Sequence, residues 1–401
     1  MKRLGCCIAL LLASASLHAQ EPEAIEPSTR INDAVRIGIP ASLLSNRWDS
    51  PLLHLVREVP HNIFFNNTGQ RTSGEFWLGA SANLAGVLAD GDDFTATAAL
   101  TDERGKYHRL SYLVTVGDYG TRIGLRYVDQ EYRRAKELDF LGLHGQSRRV
   151  AVQVLQPVQR STDAGLFLRL MHEDSKERDQ FDLFSAFADT RVQKWSIGMV
   201  GFLRDRFYGG GLTGYSVNYY EGSASLGPDA RLIADQAGLR THGPFAVMRF
   251  SASRLQRLND EFGLSLEVYG QRASKNLVGS ERLALGGAGA VSAYPPGEVL
   301  GDQGYVARAA LVYVVPGLAP RGGSATVAPF YEEGVVRVRK DPLGGAQNRR
   351  SLAAYGVSFN AGKSADYSFV FTLSWREDSE VLLVDQTERR PRALFQFVKW
   401  F

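Results

Sequence analysis

From about residue 62 to the C-terminus, apolar and polar residues alternate with a period of two. Tyr367, Phe369, Phe371, Leu373 and Trp375 interleave with Ser368, Val370, Thr372, Ser374 and Arg376. Leu110, Tyr112, Val114 and Val116 interleave with Arg109, Ser111, Leu113 and Thr115. Ile123, Leu125 and Tyr127, and then Phe262, Leu264, Leu266 and Val268, repeat the pattern. Such alternation describes strands with one apolar and one polar face. It predicts an all-β chain of about sixteen strands, at 62–67, 75–84, 93–100, 107–116, 121–131, 147–156, 164–173, 192–204, 212–222, 244–256, 260–271, 304–314, 325–334, 351–361, 366–376 and 391–401.

A soluble β-sandwich and a transmembrane antiparallel β-barrel both fit this pattern, and three features favour the barrel. The strands often reach the ~9–11 residues that cross a bilayer at a tilt. The polar face carries Arg109, Arg122, Arg126, Arg149, Arg169, Arg308 and Arg376, and burying each in a sandwich core would cost several kcal/mol. Aromatic residues bracket the apolar faces: Tyr305 and Tyr313 flank Ala307, Ala309 and Leu311, with Arg308 on the opposite side. Their rings would stand roughly 20 Å apart along the barrel axis, near the height of an apolar band between aromatic girdles. An even strand count puts both termini in the periplasm. The turns Ala89-Asp90-Gly91-Asp92 and Gly117-Asp118-Tyr119-Gly120 would then be periplasmic. The longest connection, 272–303, would be extracellular or folded into the lumen.

Composition changes this picture only at the N-terminus. The 401 residues would accommodate two or three soluble domains, and a net charge of +3 gives no reason to expect a nucleic-acid partner. Beyond residue 20 no apolar run approaches the ~18 residues of a spanning helix. Lys2 and Arg3 precede an apolar stretch, Leu4–Leu12, and small residues follow at Ala13-Ser14-Ala15 and Leu17-His18-Ala19. That order reads as a signal peptide over residues 1–19. Cys6 and Cys7 fall inside it, so the exported chain is expected to carry no disulfide and no Cys-ligated metal. Residues 20–61 read as a short periplasmic leader or plug segment, and 62–401 as the barrel.

The segment Leu283–Tyr305 is distinctive. It contains Leu285-Gly286-Gly287, then Val291-Ser292-Ala293-Tyr294, then Pro295-Pro296-Gly297-Glu298, and then Gly301-Asp302-Gln303-Gly304-Tyr305. Phe330-Tyr331-Glu332-Glu333-Gly334 follows. These elements resemble, in order and spacing, the signatures of two-partner secretion transporters of the TpsB type. That is the hemolysin secretion/activation family (ShlB/FhaC/HecB) of the BamA-like barrel superfamily. The resemblance places the first motif in an inward-folding loop between strands 11 and 12 and the second on strand 13. It implies loop residues Gly286, Gly287, Val291, Ser292, Ala293, Tyr294, Pro295, Gly297, Glu298 and Asp302. Phe330, Glu332 and Gly334 are the implied wall partners.

Two departures from the family pattern stand out. Ser292 occupies the loop's usual Arg position and Glu332 the wall's usual Asp position. One neutral hydrogen bond between them, worth ~1 kcal/mol, is expected, with either a looser loop or another Arg, such as Arg282, as a substitute cation. The second departure is length, because residues 20–61 are too few for the family's POTRA capture domains.

The resemblance implies outer-membrane localisation and contact with outer-membrane lipid, and the terminal aromatic Phe401 on the alternating last strand resembles the signal by which the outer-membrane assembly machinery recognises barrels. It also implies a secreted partner protein. The alternative reading is a diffusion channel or surface barrel on the same scaffold.

Other chemistry is not indicated. Gly209-x-Gly211-x-x-Gly214 lies between two strands with no helix after it and reads as a hairpin. Asp90-Gly91-Asp92-Asp93 lacks calcium-loop spacing. His54, His61, His108, His144, His172 and His242 are scattered, and Gly214-Tyr215-Ser216-Val217-Asn218 lacks the second Gly of a nucleophile elbow. No catalytic residue, metal or cofactor is expected. The basic positions leave two options open: a lumen attracting anions or acidic segments, or an interior balanced by acids such as Glu267.

Overall fold

In the computed structural model, residues 61–89, 91–318, 323–344, 347–363, 366–377, 382 and 390–401 are described. The expected signal peptide (1–19) and nearly all of the expected leader or plug segment (20–61) lie outside them. Eleven strands run in sequence from the N-terminal side. They are β1 (Asn62–Asn66), β2 (Trp77–Ala85), β3 (Asp93–Thr101), β4 (Lys106–Val116), β5 (Thr121–Arg133), β6 (Leu143–Arg160), β7 (Ala164–Phe181), β8 (Ala186–Asp205), β9 (Gly211–Gly227), β10 (Gly243–Arg257) and β11 (Phe262–Ala273). Two short strands, β12 (Leu283–Leu285) and β13 (Val299–Gly301), lie in the long connection. Five more follow: β14 (Gln303–Val314), β15 (Ser324–Arg337), β16 (Arg349–Lys363), β17 (Tyr367–Arg376) and β18 (Arg392–Trp400).

Each strand of β1–β11 and β14–β18 pairs antiparallel with its neighbours, and β1 pairs with β18, so these sixteen strands close a barrel. The sixteen positions match those expected from the alternation. The connection from β11 to β14 carries the separate β12–β13 hairpin.

The core is inside out. Trp195 and Ile197 of β8 are exposed on the outer face, while Lys194 and Ser196 are buried toward the lumen. Apolar side chains such as Leu78, Leu125 and Leu170 are exposed on the outer face. Each backbone N–H and C=O of a spanning segment needs a partner within the protein, and the closed ladder supplies it.

Strands β6 to β9 extend well beyond their expected ends, to 143–160, 164–181, 186–205 and 211–227. The cause lies on their outer faces. Beyond the apolar band these faces carry charges that pair across strands. Arg191 meets Asp174 at 2.5 Å and Arg178 meets Asp189 at 2.7 Å. The ladder continues where the apolar alternation stops. The β9–β10 connection holds one helix, α1 (Asp229–Ala237), which the alternation did not reveal. The Gly209–Gly211 segment does turn between β8 and β9, as a hairpin.

The seam between β1 and β18 is, with β1–β2, the shortest pairing in the barrel, running from Asn62↔Trp400 to Asn66↔Gln396. Asn67 continues it by one rung. Its amide donates to Ala393 O at 3.0 Å, and its side-chain oxygen accepts from Phe395 N at 2.7 Å. Phe65, Phe76 and Phe395 cluster at the same end, with ring centroids 5.3–6.3 Å apart. At the opposite end Phe401 N donates to His61 O, while Lys399 pairs with Asp366 and lies over the Phe401 ring. Lys399 is thereby neutralised at the rim.

Asn67→Ala removes two hydrogen bonds, each worth about 1 kcal/mol, at the short closing seam of the barrel. The variant is expected to lose its heat-resistant gel mobility about 3 °C below the parent chain. An unchanged midpoint would show that the seam does not depend on this rung.

Candidate functional site

Residues 274–302 enter the lumen as a folded loop. The β12–β13 hairpin aligns Leu283 with Gly301 and Leu285 with Val299. The chain reverses beyond Leu285 through Gly286, whose φ is +89°. A Cβ there would lie 2.4 Å from Pro295 O, so the backbone approach requires glycine. Gly287 N donates to Tyr294 O at 2.9 Å, which closes the tip into a compact turn. Residues Gly287, Val291, Ser292, Ala293, Tyr294, Pro295, Gly297 and Glu298 are all shielded from solvent within this turn or near it.

The tip is bound to the wall at Glu332. Ser292 donates to one oxygen of that carboxylate twice, from its backbone N–H and from its hydroxyl, both at 2.7 Å. Arg308 approaches the other oxygen at 3.1 Å. Strand register puts Glu267, Arg308 and Glu332 side by side on β11, β14 and β15. The Arg308 guanidinium also lies 4.3 Å from the centre of the Phe330 ring, which gives this motif aromatic a cation-π role. Gly334 leaves room for the loop: a Cβ there would come 2.8 Å from Leu285 and 3.2 Å from Val291. Every member of the wall motif therefore touches the loop or the cation beside it.

Two expectations are corrected here. Ser292 makes two hydrogen bonds to an ionisable oxygen, and the missing cation is supplied from the wall by Arg308. Arg282 does not substitute at Glu332. It pairs instead with Asp302 at 3.2 Å and donates to Leu300 O and Val338 O. Asp302 is fully buried and binds three segments together. It accepts from Leu277 N at 3.2 Å and Lys340 N at 2.8 Å as well as meeting Arg282. Burial lowers the Arg282 pKa to about 10, helped by the Arg339 charge and opposed by Asp302. The group thus stays charged near neutral pH.

Two further anchors were not visible in the sequence. At the loop's entry, Glu281 meets Lys194 of β8 at 2.7 Å and Arg249 of β10 at 3.0 Å. At the tip, Arg392 of β18 donates to Tyr294 O, and Arg376 of β17 lies 5.7 Å from the centre of the Tyr294 ring. Tyr269 OH holds Gly289 O at 2.8 Å. These groups are far apart in sequence, so only strand register could have brought them together on paper.

All seven basic positions face the lumen; acids or polar groups neighbour six of them, and Arg376 lies over the Tyr294 ring. Glu173 meets Lys194 at 3.0 Å, Arg149 at 3.6 Å and Arg126 at 3.7 Å. Arg122 meets Asp93 at 2.6 Å, and Arg169 donates to Asn218 at 2.6 Å. Arg109 reaches Thr97 at 3.4 Å. Among the described residues no group of His, Cys, Asp and Glu could hold a metal ion.

The site can restrain a plug without covalent bonds. Comparison with known proteins agrees with that geometry. The family model described as "Haemolysin secretion/activation protein ShlB/FhaC/HecB" matches residues 57–360. The heme/hemopexin transporter protein HuxB of Haemophilus influenzae is 19% identical over 324 residues, covering 79% of this chain and 56% of that protein. The chain thus spans little more than half the length of this curated relative. Among solved structures, CdiB from Escherichia coli superposes with a TM-score of 0.69 at 16% identity, covering 86% of this chain and 63% of that one. BamA from Haemophilus ducreyi lacking POTRA domains 1-3 gives a TM-score of 0.58 at 11% identity, over 85% and 69% of the two chains. The chain is therefore a sixteen-stranded outer-membrane barrel that belongs to the ShlB/FhaC/HecB haemolysin secretion/activation family.

Proposed function

We propose that this barrel carries a secreted partner protein of the hemolysin or adhesin type, in unfolded form, across the outer membrane. Membership in the secretion/activation family supports the transport class. The observation that carries the reading is a lumen plug held at its tip by Ser292, Glu332 and Arg308. Hydrogen bonds to a charged group contribute ~1.5–3 kcal/mol each. A few of them keep the loop in one pose at rest, yet an entering chain can displace them stepwise. Folding of the partner outside the cell would supply the driving force. In this reading the outer wall meets lipid, and Phe401 is the element that the barrel assembly machinery recognises.

Deleting the gene is expected to remove at least one protein from the culture medium, detected by mass spectrometry of the secreted fraction. An unchanged secreted fraction, together with steady open conductance in planar bilayers, would identify a diffusion channel instead.

The tip contact gives a sharper test. Arg308→Ala leaves Glu332 without its cation and is expected to raise mean single-channel conductance about twofold or more as the loop loosens. Adding Ser292→Arg to that variant returns a guanidinium to Glu332 from the loop side and should lower the conductance again. If Arg308→Ala conducts like the parent chain, the tip contact does not hold the plug.

A further inference from the structure

The ends of β6, β7 and β8 that extend beyond the apolar band carry a row of cations on the outer face. Arg148 is the ladder partner of Lys176, and Lys176 is the ladder partner of Arg191. All three side chains are exposed. Like charges directly opposite one another destabilise a sheet. Other outer-face pairs are of opposite sign: Lys106 faces Glu131 at 3.2 Å, and Arg178 faces Asp189 at 2.7 Å.

Three carboxylates border the row and do not neutralise it. Asp174 accepts from two nitrogens of Arg191, at 3.1 and 2.5 Å, and Asp189 is committed to Arg178. Asp129 stands 3.5 Å from Arg148 Nε and also accepts from Gln146 and Tyr127. Lys176 makes no hydrogen bond or ion pair among the described residues, and acts on Asp174 through its charge alone.

The row also has a definite height. Four residues along each strand, Val152, His172 and Trp195 form a second row, in which the His172 and Trp195 rings lie 4.4 Å apart. Beyond it the exposed outer positions are apolar: Leu170, Leu168, Ile197 and Met199. Aromatic residues at the edge of an apolar band mark the lipid–water boundary. Four residues at ~3.3 Å each, tilted by ~40°, put the cations on the order of 10 Å beyond that boundary. Lys and Arg stems reach back toward it.

We infer that the row Arg148, Lys176 and Arg191 binds the phosphorylated headgroup of a glycolipid in the outer leaflet. This goes beyond cargo transport and rests only on the outer wall meeting lipid. The even strand count puts both termini in the periplasm, and hence this end of the barrel at the outer leaflet. A phosphate seated among the cations removes the repulsion within the row. Lysine meets phosphate as a point charge, and each guanidinium keeps terminal N–H groups to donate. Three adjacent strands span about 10 Å, wider than one phosphodiester, which favours a headgroup with more than one phosphate. Ser225, the ladder partner of Arg191 on β9, is exposed and offers a hydroxyl to a sugar. The apolar band beneath takes the acyl chains.

The test compares the purified full chain with the double variant Arg148→Gln, Lys176→Gln. Lys363→Gln, an exposed lysine at the opposite end of the barrel, is the charge control. The probes are phosphatidylethanolamine vesicles with lipid A, the same vesicles with phosphatidylglycerol, and inorganic phosphate in detergent. Mass spectrometry reads the lipid that survives a detergent wash, and heat-shifted gel mobility reads the folded barrel. The parent chain and the control are expected to retain lipid A in preference to phosphatidylglycerol. The double variant is expected to retain at least roughly tenfold less. In anion-free detergent the double variant should unfold at or above the parent's midpoint, since repulsion has been removed. Lipid A should raise the parent's midpoint and leave the variant's unchanged.

Equal retention of lipid A by parent and double variant overturns the inference. Equal retention of lipid A and phosphatidylglycerol by the parent identifies a non-specific anionic-lipid surface and overturns it too. Stabilisation by inorganic phosphate that matches lipid A identifies a soluble-anion site and overturns the lipid assignment. A lower midpoint for the double variant in anion-free detergent shows that the row stabilises the barrel unaided, which also defeats the inference. None of these outcomes involves a secreted protein, so the transport reading stands or falls separately.

Discussion

The arrangement of the lumen depends on one buried carboxylate. Glu332 is fully enclosed, and an ionised carboxylate without partners there would cost several kcal/mol. Arg308 and Ser292 answer that demand from opposite sides, one from the wall and one from the loop. The loop's pose is thus tied to the solvation of a single side chain. Phe330 flanks the cation, Gly334 admits Leu285 and Val291, and the compact turn from Gly286 to Tyr294 presents Ser292 at the required height.

The same logic extends up the loop. Asp302 and Arg282 hold its exit strand to the segment before it and to the β15–β16 connection. Glu281 holds its entry against β8 and β10. Between the ionic levels lies an apolar cluster that includes Leu285, Val291, Tyr294, Val336 and Leu352. Polar contacts select the pose, and apolar burial supplies bulk stabilisation that does not depend on direction.

The Ser292 and Arg308 arrangement changes how the departure from the family motif is understood. A serine at the usual arginine position reads, on its own, as a lost contact. In the folded barrel the cation has a different origin: it sits on the neighbouring strand, beside the same carboxylate. Arg308 was legible as a basic residue on the polar face. Its pairing with Glu332 required the antiparallel register of β14 and β15 as well. The extended ends of β6–β9 were hidden for a related reason, since charged outer faces carry a strand ladder without the apolar alternation that marks one.

By itself the sequence determined the number of strands, their inward and outward faces, and the motif-bearing loop, because a period of two is a local property and motif spacing is linear. The tertiary structure decided which charges meet. Glu173 with Lys194, Glu281 with Arg249, and Arg392 with Tyr294 join segments that only closure of the barrel and entry of the loop bring within hydrogen-bond range. Coulomb and hydrogen-bond energies depend on distance in space, and sequence separation does not encode that distance until strand register is known.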